Sequence, residues 1–327
     1  MCIITIMLNP AHIYAARHAT EAAAIASASL VGHGDKNAAD KAAVDAMRAS
    51  LNNDNIRWRV VIGEGERDKA PMLYMGEELG TEGADPLDLA LDPLEGTTLA
   101  AEGAPGALSV LAAARPGALL NAPDVYMRKL AVGANIARDT VSLDMRPEEL
   151  VESVAAQIKL PAREVTTAVL DRPRHRILVD ALRRTGCRVN LFGDGDVAVC
   201  LGLCLGHGVH LYLGTGGAPE GVLSATALSC LGGYFEGQLI FRNDDERARA
   251  DRAGIQDLQK IYAMDELARG ELAFVATGVT TGALLDGACV TPTGAVTESL
   301  VLWNDDNGAA RMEKVRTRRM SRGSPSL

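Results

Sequence analysis

The spacing of apolar and polar residues predicts alternating helices and strands along most of the chain. Residues 11–29 are alanine-rich and predict a helix. A second helix is expected after Asp40, where Ala43, Val44 and Met47 recur at helical spacing. Residues 57–62 predict a strand that runs into Gly63-Glu64-Gly65-Glu66. Past that loop, Asp68-Lys69-Ala70-Pro71 predicts a helix start, because a first-turn proline lacks only an N–H that has no intrahelical acceptor. Residues 87–92 alternate apolar with small or acidic side chains, the period of a strand, and residues 107–114 predict a neighbouring strand.

A boundary is expected within residues 133–144. Beyond it, strand-like runs (165–170, 188–192, 209–213, 272–276) alternate with helix-like ones (176–185, 197–205, 222–231). Such alternation predicts α/β layers. At roughly 100–200 residues per domain, the 327 residues make two domains, 1–135 and 136–327. The basic stretch 311–327 is expected to be a solvated end of the chain.

Composition narrows the function classes. Hydrophobic residues at 47% and charged residues at 23% describe a folded, soluble protein. A net charge of −9 lacks the basic footprint of a nucleic-acid binder. No apolar run approaches the roughly 18–20 residues of a membrane helix, and the short apolar N-terminus lacks the basic start of a signal peptide. Six sparse cysteines suit buried thiols in a reducing cytoplasm, where the protein is expected. The acidity itself fits either solubility or carboxylates gathered around metal ions.

Several loops carry candidate chemistry. In Asp92-Pro93-Leu94-Glu95-Gly96-Thr97-Thr98, Pro93 is expected to stop ladder pairing and turn the chain. Asp92 and Glu95 then converge beside the Thr97 hydroxyl. Two close carboxylates repel unless a cation or a proton intervenes, and hard oxygen donors select Mg²⁺ or Mn²⁺. A proline turn with solvated acids accounts for the same residues equally well. Glu64 or Glu66 offers an anionic oxygen between glycines, although a mobile acidic turn is the simpler account. Lys36 and Asp40 lie four residues apart near a helix start, where Asn37 or Asp40 acting as a plain cap is an alternative.

Gly214-Thr215-Gly216-Gly217-Ala218-Pro219-Glu220-Gly221 reads as a turn whose N–H groups hold a phosphate. Glu220 is either an acid favoured by the helix dipole or, since it disfavours an anion unless a cation is near, a sign of a metal–phosphate site. Arg172-Pro173-Arg174 offers bidentate phosphate contacts, or a surface turn. Gly193-Asp194-Gly195-Asp196-Val197-Ala198 fits the dinucleotide pattern G-x-G-x-x-A, which admits an NAD-binding oxidoreductase. Its two acids would face the pyrophosphate, and no acid ends the following strand, so that reading ranks behind. Cys204, His207 and His210 lack regular zinc spacing, and no Gly-x-Ser-x-Gly elbow occurs.

In order, the segments GDKNAAD (34–40), VIGEGE (61–66), APMLY (70–74), LDPLEGTT (91–98), NAPDVYM (121–127), GDGDVA (193–198), GTGGAPEG (214–221) and ATGVTTGALLDG (276–287) form a specific set. The chain resembles the class II fructose-1,6-bisphosphatases, including the bacterial and cyanobacterial dual fructose-1,6-/sedoheptulose-1,7-bisphosphatases, from about residue 19 to 319. That resemblance implies the layered αβαβα sandwich of the lithium-sensitive sugar phosphatases. It implies Mg²⁺ or Mn²⁺ on Asp40, Glu64, Asp92, Glu95 and Glu220, and catalytic parts for Lys36, Thr97 and Asp40. It places substrate at Gly65, Glu95-Gly96-Thr97, Tyr126, Arg172-Pro173-Arg174, Asp194-Gly195-Asp196 and Gly217.

The activity implied is removal of the 1-phosphate of fructose 1,6-bisphosphate, and of sedoheptulose 1,7-bisphosphate, in gluconeogenesis or the Calvin cycle. The partner is a small sugar bisphosphate, and the family implies a dimer or tetramer. A non-catalytic sugar-phosphate sensor is a further alternative. Two residues depart from the family pattern. His33 stands where relatives often carry arginine, and Thr98 where a longer side chain is common.

Overall fold

The computed structural model describes residues 8–65, 72–81, 86–304 and 309–320. Glu66 and the helix start expected at Asp68–Pro71 lie outside the described residues. The chain divides into two compact units, residues 1–118 with 270–327, and residues 119–269. The boundary expected within 133–144 is therefore misplaced. The sequence 270–327 also returns to the first unit instead of continuing the second.

The first unit begins with α1 (Pro10–Ala28) and α2 (Lys36–Asn52), then β1 (Arg57–Ile62), β2 (Glu78–Gly80), β3 (Leu87–Glu95), α3 (Thr97–Glu102) and β4 (Leu108–Ala114). The second contains β5 (Tyr126–Val132), α4 (Pro147–Ile158), β6 (Thr166–Leu170), α5 (Arg176–Arg184), β7 (Arg188–Phe192), α6 (Asp196–Cys204), β8 (Leu211–Gly217) and α7 (Ala218–Leu231). It ends with β9 (Tyr234–Ile240), α8 (Asp244–Arg252), β10 (Ile261–Ala263) and α9 (Met264–Leu267). The first unit then resumes with β11 (Leu272–Gly278), β12 (Cys289–Thr291), β13 (Gly294–Asn304) and β14 (Ala310–Met320).

The first unit's sheet runs β12-β13-β11-β4-β3-β1-β2, with β14 on β13. Only β1 and β3 pair in parallel there among the described strands. Its helices cover the sheet with small side chains. Ala15, Ala16, Ala19, Ala23 and Ala24 of α1 are all buried, which lets the helix lie close. Buried hydroxyls join α1 to the sheet, Thr20 to Thr277 and Thr277 to Ser299, at 2.8 Å each. The second unit's sheet runs β10-β9-β5-β8-β6-β7, antiparallel as far as β8 and parallel from β8 to β7. Both units are mixed α/β.

Two local expectations are corrected and two are refined. Helix α2 starts at Lys36, because Asp35 caps it by accepting the Ala38 N–H at 2.9 Å. Neither Asn37 nor Asp40 is the cap, so Asp40 projects from the helix. The ladder with β4 skips Pro93 and Leu94, as expected of proline, but strand β3 extends to Glu95, where pairing resumes past a register shift.

The glycine run 214–217 is the end of β8, paired with β5, rather than a turn. Its glycines answer to packing. A Cβ at Gly216 would lie 2.7 Å from Asp196 Oδ2, and one at Gly217 would lie 2.0 Å from Glu220 Oε2. The basic end is mostly exposed to solvent, as expected, but it is paired as strand β14 to Met320, where Thr317 and Arg319 hydrogen-bond the buried Glu21 of α1 at 2.6 and 2.9 Å. No disulfide joins the described cysteines, of which Cys187, Cys200 and Cys230 are buried and Cys289 is exposed. No helix among the described residues is long and apolar enough to cross a membrane.

Candidate active site

In the first unit, acidic side chains collect at the ends of β1 and β3. After β1 the chain is pinned by its own backbone, with Glu64 N–H donating to Leu73 O at 3.0 Å and Met75 N–H to Gly65 O at 3.0 Å. Gly63 is required there, because a Cβ would come within 2.0 Å of Leu73 O. The Glu64 carboxyl is pushed up to about 8, first by burial, then by the negative charges of Asp92 and Asp40. Burial also raises the pKa of Asp40. Three carboxylates from α2, the β1 loop and β3 thus crowd one another.

The β3 bulge supplies the next pair. Asp92 Oδ1 accepts the Leu94 N–H at 3.0 Å, which fixes the turn around Pro93. Asp92 and Glu95 bring ligand oxygens within 4.8 Å of each other. Gly96 follows at φ 81°, a left-handed conformation suited to glycine, and starts α3 at Thr97. Lys36 and Asp40 share a face of α2 at i and i+4. The Lys36 ammonium donates to Thr98 Oγ1 at 2.8 Å. Thr98, named above as a departure from the family pattern, is therefore the residue that positions Lys36.

The second unit handles charge differently. Lys129 of β5, 0% exposed, donates to Asp196 Oδ2 at 2.6 Å, and the Tyr212 hydroxyl donates to the same oxygen at 3.0 Å. Burial works against the Lys129 ammonium, but Asp196 and Glu220 outweigh it and raise its pKa. The Glu220 carboxyl is raised by burial, with Lys129 opposing. Its Oε2 atom is buried without a hydrogen-bond partner among the described residues, an orphan that suits a cation. Asp196, expected to bind sugar hydroxyls, is thus committed inward by one oxygen. That also counts against the dinucleotide reading of GDGDVA.

Beyond this network lies a basic patch. Arg172 donates through Nη1 to Asp171 O at 2.9 Å and Gly193 O at 2.6 Å, with Nη2 3.9 Å from Asp194. Gly195, at φ 82°, lets the chain turn from Asp194 into α6. Pro173 opens a short 3₁₀ turn that sets Arg174, whose Nε and Nη2 both donate to Thr215 O at 3.0 and 2.6 Å. His175 anchors that turn, accepting the Thr215 N–H at Nε2 (2.8 Å) while Nδ1 lies 2.6 Å from Leu170 O. The neutral tautomer with Nδ1–H satisfies both bonds, in keeping with a pKa lowered by burial. Arg174 also stacks on Tyr126, 4.8 Å from the ring centroid.

Lys129, Tyr212 and Arg242 escaped the sequence reading. A lysine or tyrosine in an apolar strand gives no local signal of pairing. Arg242 had one, since Asn243 and Glu246 stand at the spacing of a helix cap.

Crowded carboxylates and a patch of arginines are the equipment of a metal-assisted enzyme acting on phosphate groups. The chain belongs to the family described as bacterial fructose-1,6-bisphosphatase, glpX-encoded, which it matches over residues 12–316. Among its relatives is the D-fructose 1,6-bisphosphatase class 2/sedoheptulose 1,7-bisphosphatase of Trichodesmium erythraeum (strain IMS101). It is 42% identical over 321 residues, covering 90% of this chain and 93% of that protein. Proteins of the same name from Synechococcus sp. (strain JA-3-3Ab) and Synechococcus elongatus are 42% and 41% identical. They cover 86% and 90% of this chain, and 88% and 93% of their own lengths.

Proposed function

We propose that the protein hydrolyses the 1-phosphate of fructose 1,6-bisphosphate, and of sedoheptulose 1,7-bisphosphate, with Mg²⁺ or Mn²⁺. The observation that carries this reading is Glu64, whose carboxyl is pushed up to about 8 by burial beside Asp92 and Asp40. Such a group holds a proton only until a divalent cation replaces it. Asp40, Glu64, Asp92, Glu95 and Glu220 are the ligands in this reading. The orphaned Glu220 oxygen and the hard carboxylate donors fit that part. Held by these carboxylates, such an ion would offset phosphate charge and lower the pKa of a bound water.

The chain's own residues do the rest. Thr97, with Asp40, orients that water in line with phosphorus. Lys36, steadied by Thr98, offsets charge on the transferring phosphoryl group. Arg172, Pro173, Arg174 and Tyr126 shape the seat of the other phosphate, while Asp194 and Asp196 face sugar hydroxyls. Gly65, Gly96, Gly195 and Gly217 let the backbone approach the substrate closely. The αβαβα sandwich of the lithium-sensitive phosphatases, a homo-oligomer and a place in cytoplasmic sugar metabolism, in gluconeogenesis or the Calvin cycle, belong to the same reading.

The test is phosphate release from both bisphosphates with Mg²⁺ or Mn²⁺, before and after EDTA. Turnover that EDTA stops and added metal restores is expected. No release from either sugar by metal-loaded protein contradicts the proposal.

A further inference from the structure

Two guanidinium groups lie against one aromatic ring in the second unit. Arg174 Cζ is 4.8 Å and Arg242 Cζ 4.5 Å from the ring centroid of Tyr126, the first residue of β5. They come from separate places in the chain, Arg174 from the turn after β6 and Arg242 from the link between β9 and α8. Each is fixed from one side. Arg174 spends Nε and Nη2 on Thr215 O. Arg242 donates from Nε to Glu246 Oε1 at 2.7 Å, and its backbone N–H donates to Glu246 Oε2 at 2.6 Å.

The Glu246 carboxylate doing this is 0% exposed, whereas the Arg242 side chain is 56% exposed. A buried acid therefore grips one edge of the guanidinium and leaves the rest of the fork towards solvent. That is a preorganised cation, with little rotamer freedom left to lose when an anion arrives. Two like charges beside one ring repel each other. The ring's negative face offsets part of that repulsion, and an anion shared by both offsets more. Glu246 answers for Arg242, but the bonds that fix Arg174 go to a neutral carbonyl, so the patch keeps a positive excess.

We infer that Arg242 is a specificity-determining residue that, with Arg174, holds the phosphate that is not cleaved. It thereby makes a bisphosphate a far better substrate than a sugar 1-phosphate. This rests on the reading that Tyr126 and Arg174 face that second phosphate. Glu246 is the positioning residue, acting through Arg242.

The experiment compares kcat/KM on fructose 1,6-bisphosphate with kcat/KM on fructose 1-phosphate, in wild type, Arg242→Ala and Arg242→Lys. The ratio of the two should fall by about ten-fold or more in Arg242→Ala, mainly through KM for the bisphosphate. Arg242→Lys should recover only part of it, because an ammonium lacks the fork that Glu246 and Tyr126 hold. Thermal melts show whether the alanine variant folds, and if it does not, the lysine variant decides. A ratio within about two-fold of wild type in the folded variants overturns the inference. Failure of wild type on both sugars defeats the phosphatase reading itself, and this inference with it.

Discussion

In the first unit Asp40, Glu64 and Asp92 crowd together, and the pKa of Glu64 rises to about 8. In the second, Lys129 meets Asp196 at 2.6 Å, with the Tyr212 hydroxyl on the same oxygen. One cluster is frustrated without a cation, and the other carries its own. Half-buried carboxylates held together cost stability unless a proton or a cation offsets their repulsion, and in the proposed reading the first cluster is where a cation is recruited. The paired cluster packs against Gly216, where a Cβ would lie 2.7 Å from Asp196 Oδ2.

Breaking the pair in the second unit should have the largest effect on folding. Lys129→Met leaves Asp196 buried without its cation and should destabilise the protein by about 3–5 kcal/mol, read as a lower denaturation midpoint. Glu64→Gln is the opposite case. It should cut phosphatase kcat/KM by about a hundred-fold or more, yet raise the melting temperature of metal-free protein at pH 8, because it removes one of the mutually repelling charges. A lower melting temperature in that variant would break the contrast between the clusters.

The pH dependence of metal-free stability sharpens it further. Glu64 is raised from 4.5 to about 8, so its contribution is fully present below 4.5 and lost as pH rises through about 8. His175 is lowered from 6.5, so its contribution is present above 6.5 and lost as pH falls from there towards its lower folded value. Melts from pH 5 to 9 should therefore lose stability at the alkaline end in a way that Glu64→Gln removes. The loss at the acid end should be one that His175→Gln alters. The smallest effect is expected from Thr98→Val, which frees the exposed Lys36 ammonium and should lower kcat about two- to five-fold with little change in KM.

The sequence was most informative where period and chemistry agreed. Strands β1 and β7 have the bounds read from their apolar pattern, and the motifs around Asp40, Glu64 and Asp92 singled out side chains that the fold crowds together. It misled where one residue type serves two purposes. Glycines 214–217 look like a turn, but they sit in a strand because side chains there would strike Asp196 and Glu220. Pro93 does interrupt the ladder, but the strand does not end there, because pairing resumes at Glu95 past a bulge. The charged residues of β14 are largely solvated, as their composition implies, while their pairing along β13 at a sheet edge left no local signal. The two-part first unit was illegible because it depends on β11 pairing with β4 across the whole intervening unit. Contacts so distant in sequence leave no local period.

The most direct test of the carboxylate cluster as a metal centre is calorimetric titration of metal-free protein with Mn²⁺ at pH 7, in buffers of different ionisation enthalpy. With Glu64 protonated up to about pH 8, binding should release close to ~1 proton in wild type and far less in Glu64→Gln. Mn²⁺ binding that releases no proton, or that is unchanged in the variant, would contradict the account.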